Sequence, residues 1–132
     1  MSERDYVQPD GLSKPIGVWA PAVVVRKGTL VFVSGLTSRD EAGNVAHVGD
    51  IEGQTRQVCE NLRTALHSVG GQLSDVVSVL VHVVDIGEFD TIHRVRREFF
   101  PENPPSSTMV EVTRLVDERS LIEITAIAAL PE

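Results

Sequence analysis

The chain has 132 residues, 42% of them hydrophobic and 23% charged, which is enough apolar material for one core and too little charge for a disordered segment. Twelve basic residues against nineteen acidic ones leave a formal net charge of −7, which disfavours a nucleic-acid partner because phosphate binding needs clustered positive charge. A single cysteine, Cys59, excludes an internal disulfide and a cysteine-based metal site and suits a reducing compartment.

The opening residues carry Glu3, Arg4, Asp5 and Asp10 where an export signal needs an apolar run. No apolar stretch approaches the ~20 residues of a membrane span. The expectation is a cytoplasmic protein with no membrane partner, one domain over residues 1–132 whose first 16 residues are a lead-in. Val23 to Arg26 and Thr29 to Ser34 are β-branched runs separated by Lys27-Gly28, a hairpin signal. A turn follows at Gly43-Asn44. Asp50 stands where a helix N-cap belongs, and Ile51, Val58, Leu62, Ala65, Leu66 and Val69 recur at helical spacing until Gly70-Gly71.

Val76 to Val84 is apolar on both faces, as in a central strand. Phe89, Ile92, Val95, Phe99 and Phe100 predict a second helix ending at Pro101, and Pro104-Pro105 an extended linker. Two further strands are predicted near Thr108 to Thr113 and Leu121 to Leu130. The order strand, strand, helix, strand, helix, strand, strand gives an α+β domain with a mixed sheet. Right-handed crossovers place both helices on one sheet face. The other face, carrying Val, Leu and Ala, then needs a second subunit to cover it.

The segment PPSSTMVEVTRLVDERSLIEITAIAAL, Pro104 to Leu130, resembles the C-terminal signature of the Rid/YjgF enamine/imine deaminases. FVSGLTSRDEAGNV is similar to that family's strand and loop, with Leu36 where Gln is usual. The helix with Gln54, Thr55, Asn61 and Leu62 and the helix with Phe89 and Phe99-Phe100 are also in register, so the resemblance spans about Gly17 to Ala129. It implies a chorismate-mutase-like (YjgF-like) fold of about six strands with two helices on one face. It also implies a homotrimer with intersubunit clefts and hydrolytic deamination of an enamine or imine without metal or organic cofactor.

Carried over residue by residue, the resemblance assigns the family Arg to Ser107 and the second Glu of the closing strand to Thr125. Ser107 cannot form an ion pair, and Thr125 is no general base at neutral pH. Substrate-binding candidates are Trp19, Ser34, Gly35, His93, Arg96, Thr108 and Met109. Trp19 stands for a usual Tyr, His93 for Asn, Arg96 for Tyr and Met109 for Cys, while Glu111 and Glu123 match as structural or interfacial residues. In one reading Ser106, Ser107 and Thr108 form a neutral hydroxyl wall suited to a larger, less acidic or differently anchored substrate, so that the imine is 2-aminoacrylate-like or bulkier, such as 2-aminomuconate-like, and Arg96 supplies the missing charge. In the other, Arg94, Arg96 and Arg97 are a solvated helix surface and the protein is a non-catalytic metabolite-binding or regulatory trimer. His47, His67, His82 and His93 lack metal-ligand spacing. Cys59 reads as a core residue, and Trp19 equally as pocket wall or packing.

Overall fold

The computed structural model describes residues 3–131 and contains six strands and two α-helices: β1 (Arg4–Val7), β2 (Ala22–Val25), β3 (Thr29–Leu36), α1 (Ile51–His67), β4 (Val76–Val83), α2 (Phe89–Phe99), β5 (Ser106–Glu111) and β6 (Ile122–Leu130). Four strands form a mixed sheet in the order β3-β6-β4-β5, and β1 and β2 form a separate antiparallel pair. β6 runs antiparallel to both neighbours, while β4 and β5 are parallel and linked across α2. No helix among the described residues is long and apolar enough to cross a membrane.

The Lys27-Gly28 break is not a hairpin, which corrects the reading of Val23 to Ser34. β3 pairs instead with β6, five residues in register from Thr29↔Leu130 and Leu36 again with Ile124 after a register shift, whereas β2 has only four residues and pairs with β1. The longer ladder satisfies more backbone groups. The strand β1, within the stretch read as a lead-in, is tied down by Arg4, whose Nη1 donates to the Ser74 carbonyl at 2.8 Å.

Period-2 alternation divides the main sheet into two faces. Val79, Val81, Val83, Ile122, Ile124, Ala126 and Ala128 are buried under the helices and meet Val58, Leu62, Leu66 and Ile92 in one core. The opposite face exposes Leu30, Phe32 and Leu80, with Phe32 72% exposed. β4 is therefore the internal strand its two apolar faces predicted.

Capping follows local chemistry. Asp50 accepts a hydrogen bond from the Gly53 backbone N–H at 3.0 Å, as its position before α1 predicted. α1 ends earlier than its apolar spacing suggested, and Val69 lies beyond the helix and half exposed. Two side-chain amides, the buried Gln54 and the half-buried Asn61, then fasten loops to α1. Gln54 donates to the carbonyls of His47 and Arg119 and accepts from the Leu121 N–H at 2.8 Å, which holds the segment leading into β6. Asn61 donates to the carbonyls of Thr37 and Arg39 and holds the loop after β3.

Gly28 is the turn position with the least freedom. Its φ of +130° is unfavourable for any other residue, and an added Cβ would lie 2.5 Å from the Leu130 carbonyl oxygen. Gly28→Ala is expected to destabilise the protein by more than about 1 kcal/mol. Chemical denaturation that returned an unchanged midpoint would show that the β3–β6 junction tolerates the strain.

Candidate functional site

The candidate site is a cleft at the β5 edge of the sheet, on the helix side, about 160 Å³ in volume and lined by Trp19, Phe89, His93, Ser107 and Met109. β5 begins at Ser106, earlier than predicted, so Ser107 and Met109 are alternate strand residues pointing to one side. Trp19 comes from the loop before β2, anchored where the Ala20 N–H bonds to the Pro105 carbonyl at 2.9 Å. Phe89 and His93 come from the first turns of α2, four residues apart and so on one helix face.

Three rings build the wall. His93 stacks on Phe89 with centroids 3.9 Å apart, and Trp19 packs edge-on against both, 6.4 Å from Phe89 and 5.9 Å from His93. His93 Nδ1 lies 3.0 Å from the Phe89 carbonyl oxygen. A carbonyl only accepts, so Nδ1 carries the proton and Nε2 is left as the acceptor. Burial lowers the His93 pKa below its ordinary value, and the Arg96 and Arg97 charges add to the effect. The ring is therefore neutral at pH 7.

Behind Ser107 lies Arg96, which is fully buried. Its Nη2 donates to the Ser107 Oγ at 3.1 Å and to the Val18 carbonyl at 3.2 Å. Its Nε and Nη1 are buried with no hydrogen-bond partner among the described residues. Burial lowers its pKa to about 10, which still leaves it cationic at neutral pH. Arg96 is thus no part of a solvated arginine surface, although Arg94 and Arg97 are exposed and Arg94 pairs with Glu52 at 2.5 Å.

The remaining candidates lie elsewhere in the chain. Thr125 and Thr108 occupy the open sheet face, so alternation splits the Ser106-Ser107-Thr108 run and sends only its middle hydroxyl into the cleft. Ser34 and Gly35 are on β3, at the opposite sheet edge from β5. Within one chain Ser107 and Thr125 do not share a pocket. On the open face, two positions before Thr125, Glu123 brings its carboxylate over Gly35, where a Cβ would lie 2.6 Å from Oε1, and within 3.8 Å of His82 Nδ1.

Two cleft features escaped sequence reasoning. Phe89 fits the core spacing of α2, but it lies in the first turn, where that face emerges from the core and forms cleft wall. Gly17 leaves room for the rings, since an added Cβ would approach His93 Cδ2 and Trp19 Cζ3 to 2.5 Å each. Cys59 is buried and its thiol is pushed up to about 12 by desolvation, so it is protonated and unreactive. Among the described residues no group of three His, Cys, Asp or Glu side chains could hold a metal ion.

A mixed sheet backed by two helices, with a ring-walled cleft at the edge of its parallel strand pair, defines a YjgF-like α+β protein. The chain belongs to the Rid/YjgF family: residues 12–130 match the family model described as Endoribonuclease L-PSP. It is 35% identical over 125 residues to 3-aminoacrylate deaminase RutC of Acinetobacter baylyi, covering 95% of this chain and 97% of that protein. It is 40% identical over 126 residues to a RutC family protein of Pyrococcus abyssi, covering 95% and 96%. Among solved structures, RidA from a Psychrobacter species superposes with a TM-score of 0.73 at 27% identity, covering 96% of this chain and 99% of that one. A Rid-family protein of Yersinia pestis shares the fold at a TM-score of 0.90 and 24% identity, covering 98% and 100%.

The neutral state of His93 is testable. Its folded pKa lies below the ordinary 6.5, so the unfolded chain binds this proton more readily, and the stability it contributes is present above pH 6.5 and lost as pH falls below it. The His93 ring resonance is expected to titrate below 6.5, and His93→Gln to flatten the acid limb of the stability curve. Titration at or above 6.5 would contradict the buried neutral ring. In a second experiment, Gly17→Ala is expected to shift the emission of Trp19, the only tryptophan, and to cost roughly 1 to 3 kcal/mol by overpacking. Unaltered emission would mean that the loop absorbs the methyl group.

Proposed function

We propose that this chain is a hydrolytic deaminase of enamine or imine intermediates, acting without cofactor and releasing ammonia and a keto product. The observation that supports it most is the ring-walled cleft ending in the Ser107 hydroxyl, in a chain whose relative RutC deaminates 3-aminoacrylate. The enamine is protonated on carbon to give the imine. Water then adds to the C=N carbon, and the carbinolamine expels ammonia to leave a carbonyl. Apolar rings hold the flat conjugated substrate, and the neutral His93 Nε2 accepts a proton from the attacking water.

Copies assemble as a trimer in this reading. The exposed Leu30, Phe32 and Leu80 face needs a cover, and only another copy can bring Ser34, Gly35 and Thr125 up to the β5-edge cleft. Thr125 has no titratable group, so the carboxylate on that face is Glu123, which acts as a second proton acceptor in the assembled cleft. The substrate is 2-aminoacrylate-like or bulkier, such as a 2-aminomuconate-like imine, because Ser107 leaves more space than an arginine at that position. RNA is not the substrate. The net charge of −7 and a cleft whose one cation is fully buried offer a polyanion no path.

A coupled assay tests this reading. Imines released by a dehydratase or an amino-acid oxidase are expected to lose ammonia faster in the presence of the protein, and His93→Ala to slow that step by 10²-fold to 10⁴-fold. No acceleration with either imine class, while the cleft still binds a keto acid, would favour the non-catalytic metabolite-binding trimer. Light scattering is expected to return three times the 14.4 kDa chain mass, and a monomer would remove the intersubunit site. RNA incubated with the purified protein is expected to stay intact.

A further inference from the structure

A buried cation with no anionic partner calls for a reason. Arg96 is fully buried, makes no ion pair among the described residues, and leaves two of its nitrogens without an acceptor. A fold needing only to fill this space is served as well by an apolar side chain, since burying an unpaired charge is among the more costly things a protein does. Groups kept in that condition cluster at functional sites.

The hydrogen-bond chemistry gives the arginine a direction. A guanidinium has no acceptor, so in the 3.1 Å contact Arg96 Nη2 donates and Ser107 Oγ accepts. The Ser107 hydroxyl proton is then free to donate, and Ser107 is the member of this pair that lines the cleft. The cation itself has no exposed surface. The second Nη2 bond, to the Val18 carbonyl at 3.2 Å, fixes the backbone next to Trp19, so one guanidinium orients the hydroxyl and positions the opposite wall.

We propose that Ser107 and Arg96 form a two-part carboxylate subsite, in which the Ser107 O–H donates to the ligand carboxylate and the buried Arg96 cation, acting through that hydroxyl, favours the anionic ligand over a neutral one. This deepens the deaminase reading and rests on it for the identity of the natural ligand. Arg96 is a positioning residue, since it touches no ligand directly. One hydroxyl donor holds a carboxylate through a single oxygen, where an arginine fork holds both. The subsite therefore accepts a wider range of carboxylate orientations and longer substituents. Low dielectric around the buried charge strengthens its reach into the cleft.

The test measures binding and needs no turnover. Pyruvate, 2-oxohexanoate and the uncharged amide of pyruvate are titrated against the intact protein, with Trp19 emission and calorimetry as readouts. The wild type is expected to bind the carboxylates about tenfold to a hundredfold more tightly than the amide, the range of a charge-assisted hydrogen bond. Ser107→Ala, which leaves Arg96 in place, is expected to lose most of that preference, and Ser107→Thr to keep it. Arg96→Met is expected to weaken the carboxylates while changing the amide little, and Arg97→Ala, on the exposed side of α2, to match the wild type.

Undiminished carboxylate preference in Ser107→Ala would overturn the proposal. So would an equal loss of carboxylate and amide in a folded Arg96→Met, which would leave Arg96 a packing residue only. Carboxylate preference without imine hydrolysis would keep the subsite and remove the deaminase reading. Hydrolysis without carboxylate preference would do the reverse.

Discussion

β6 decides the architecture. The strand with the longest ladder lies between β3 and β4 and runs antiparallel to both, so β3 and β4 point the same way and are joined by a crossover, as are the parallel β4 and β5. Those crossovers carry α1 and α2, and right-handed connection puts both on one face. The open face, the β5 edge and the position of α2 over that edge follow from this pairing. The site then falls where the last parallel strand leaves the cover of the helices.

Electrostatics at that edge differ from a plain ion-pair anchor. A charged side chain in the cleft would be hydrated and screened, whereas Arg96 is held out of water and reaches the cleft through a neutral hydroxyl. Its burial imposes a desolvation penalty that lowers its pKa and leaves two nitrogens unsatisfied. The neighbouring imidazole shares the consequence: a neutral His93 avoids placing a second positive charge beside the first. Aromatic packing among Trp19, Phe89 and His93 supports such an arrangement, because each of the three rings packs against the other two.

Much of the fold was legible in the chain. The apolar spacing of Phe89, Ile92 and Val95 defined α2, the Asp50 cap and its following run defined α1, and the two-faced run at Val76 to Val84 defined an internal strand. Local chemistry suffices there, because a period of 3.6 or 2 and a capping side chain act within a few residues. The hairpin at Lys27-Gly28 was the reverse case. Its turn residues allowed a hairpin, but β6, about a hundred residues away, offered β3 a longer ladder, and nothing local records that competition.

The site was legible as residue types and illegible as an arrangement. Sequence by itself determined that Ser107 and Thr125 are neutral, because side-chain chemistry is a property of the residue, and the family resemblance marked Trp19, His93 and Met109 as positions of interest. Only the tertiary structure decided that Ser107 and Thr125 lie on opposite sheet faces, since strand alternation sorts residues by register and a shift of one residue reverses the outcome. It decided as well that Arg96 parts from Arg94 and Arg97. The three are near neighbours in sequence, but a helix turns about 100° per residue, and the packing of α2 against the sheet determines which of them is taken out of water.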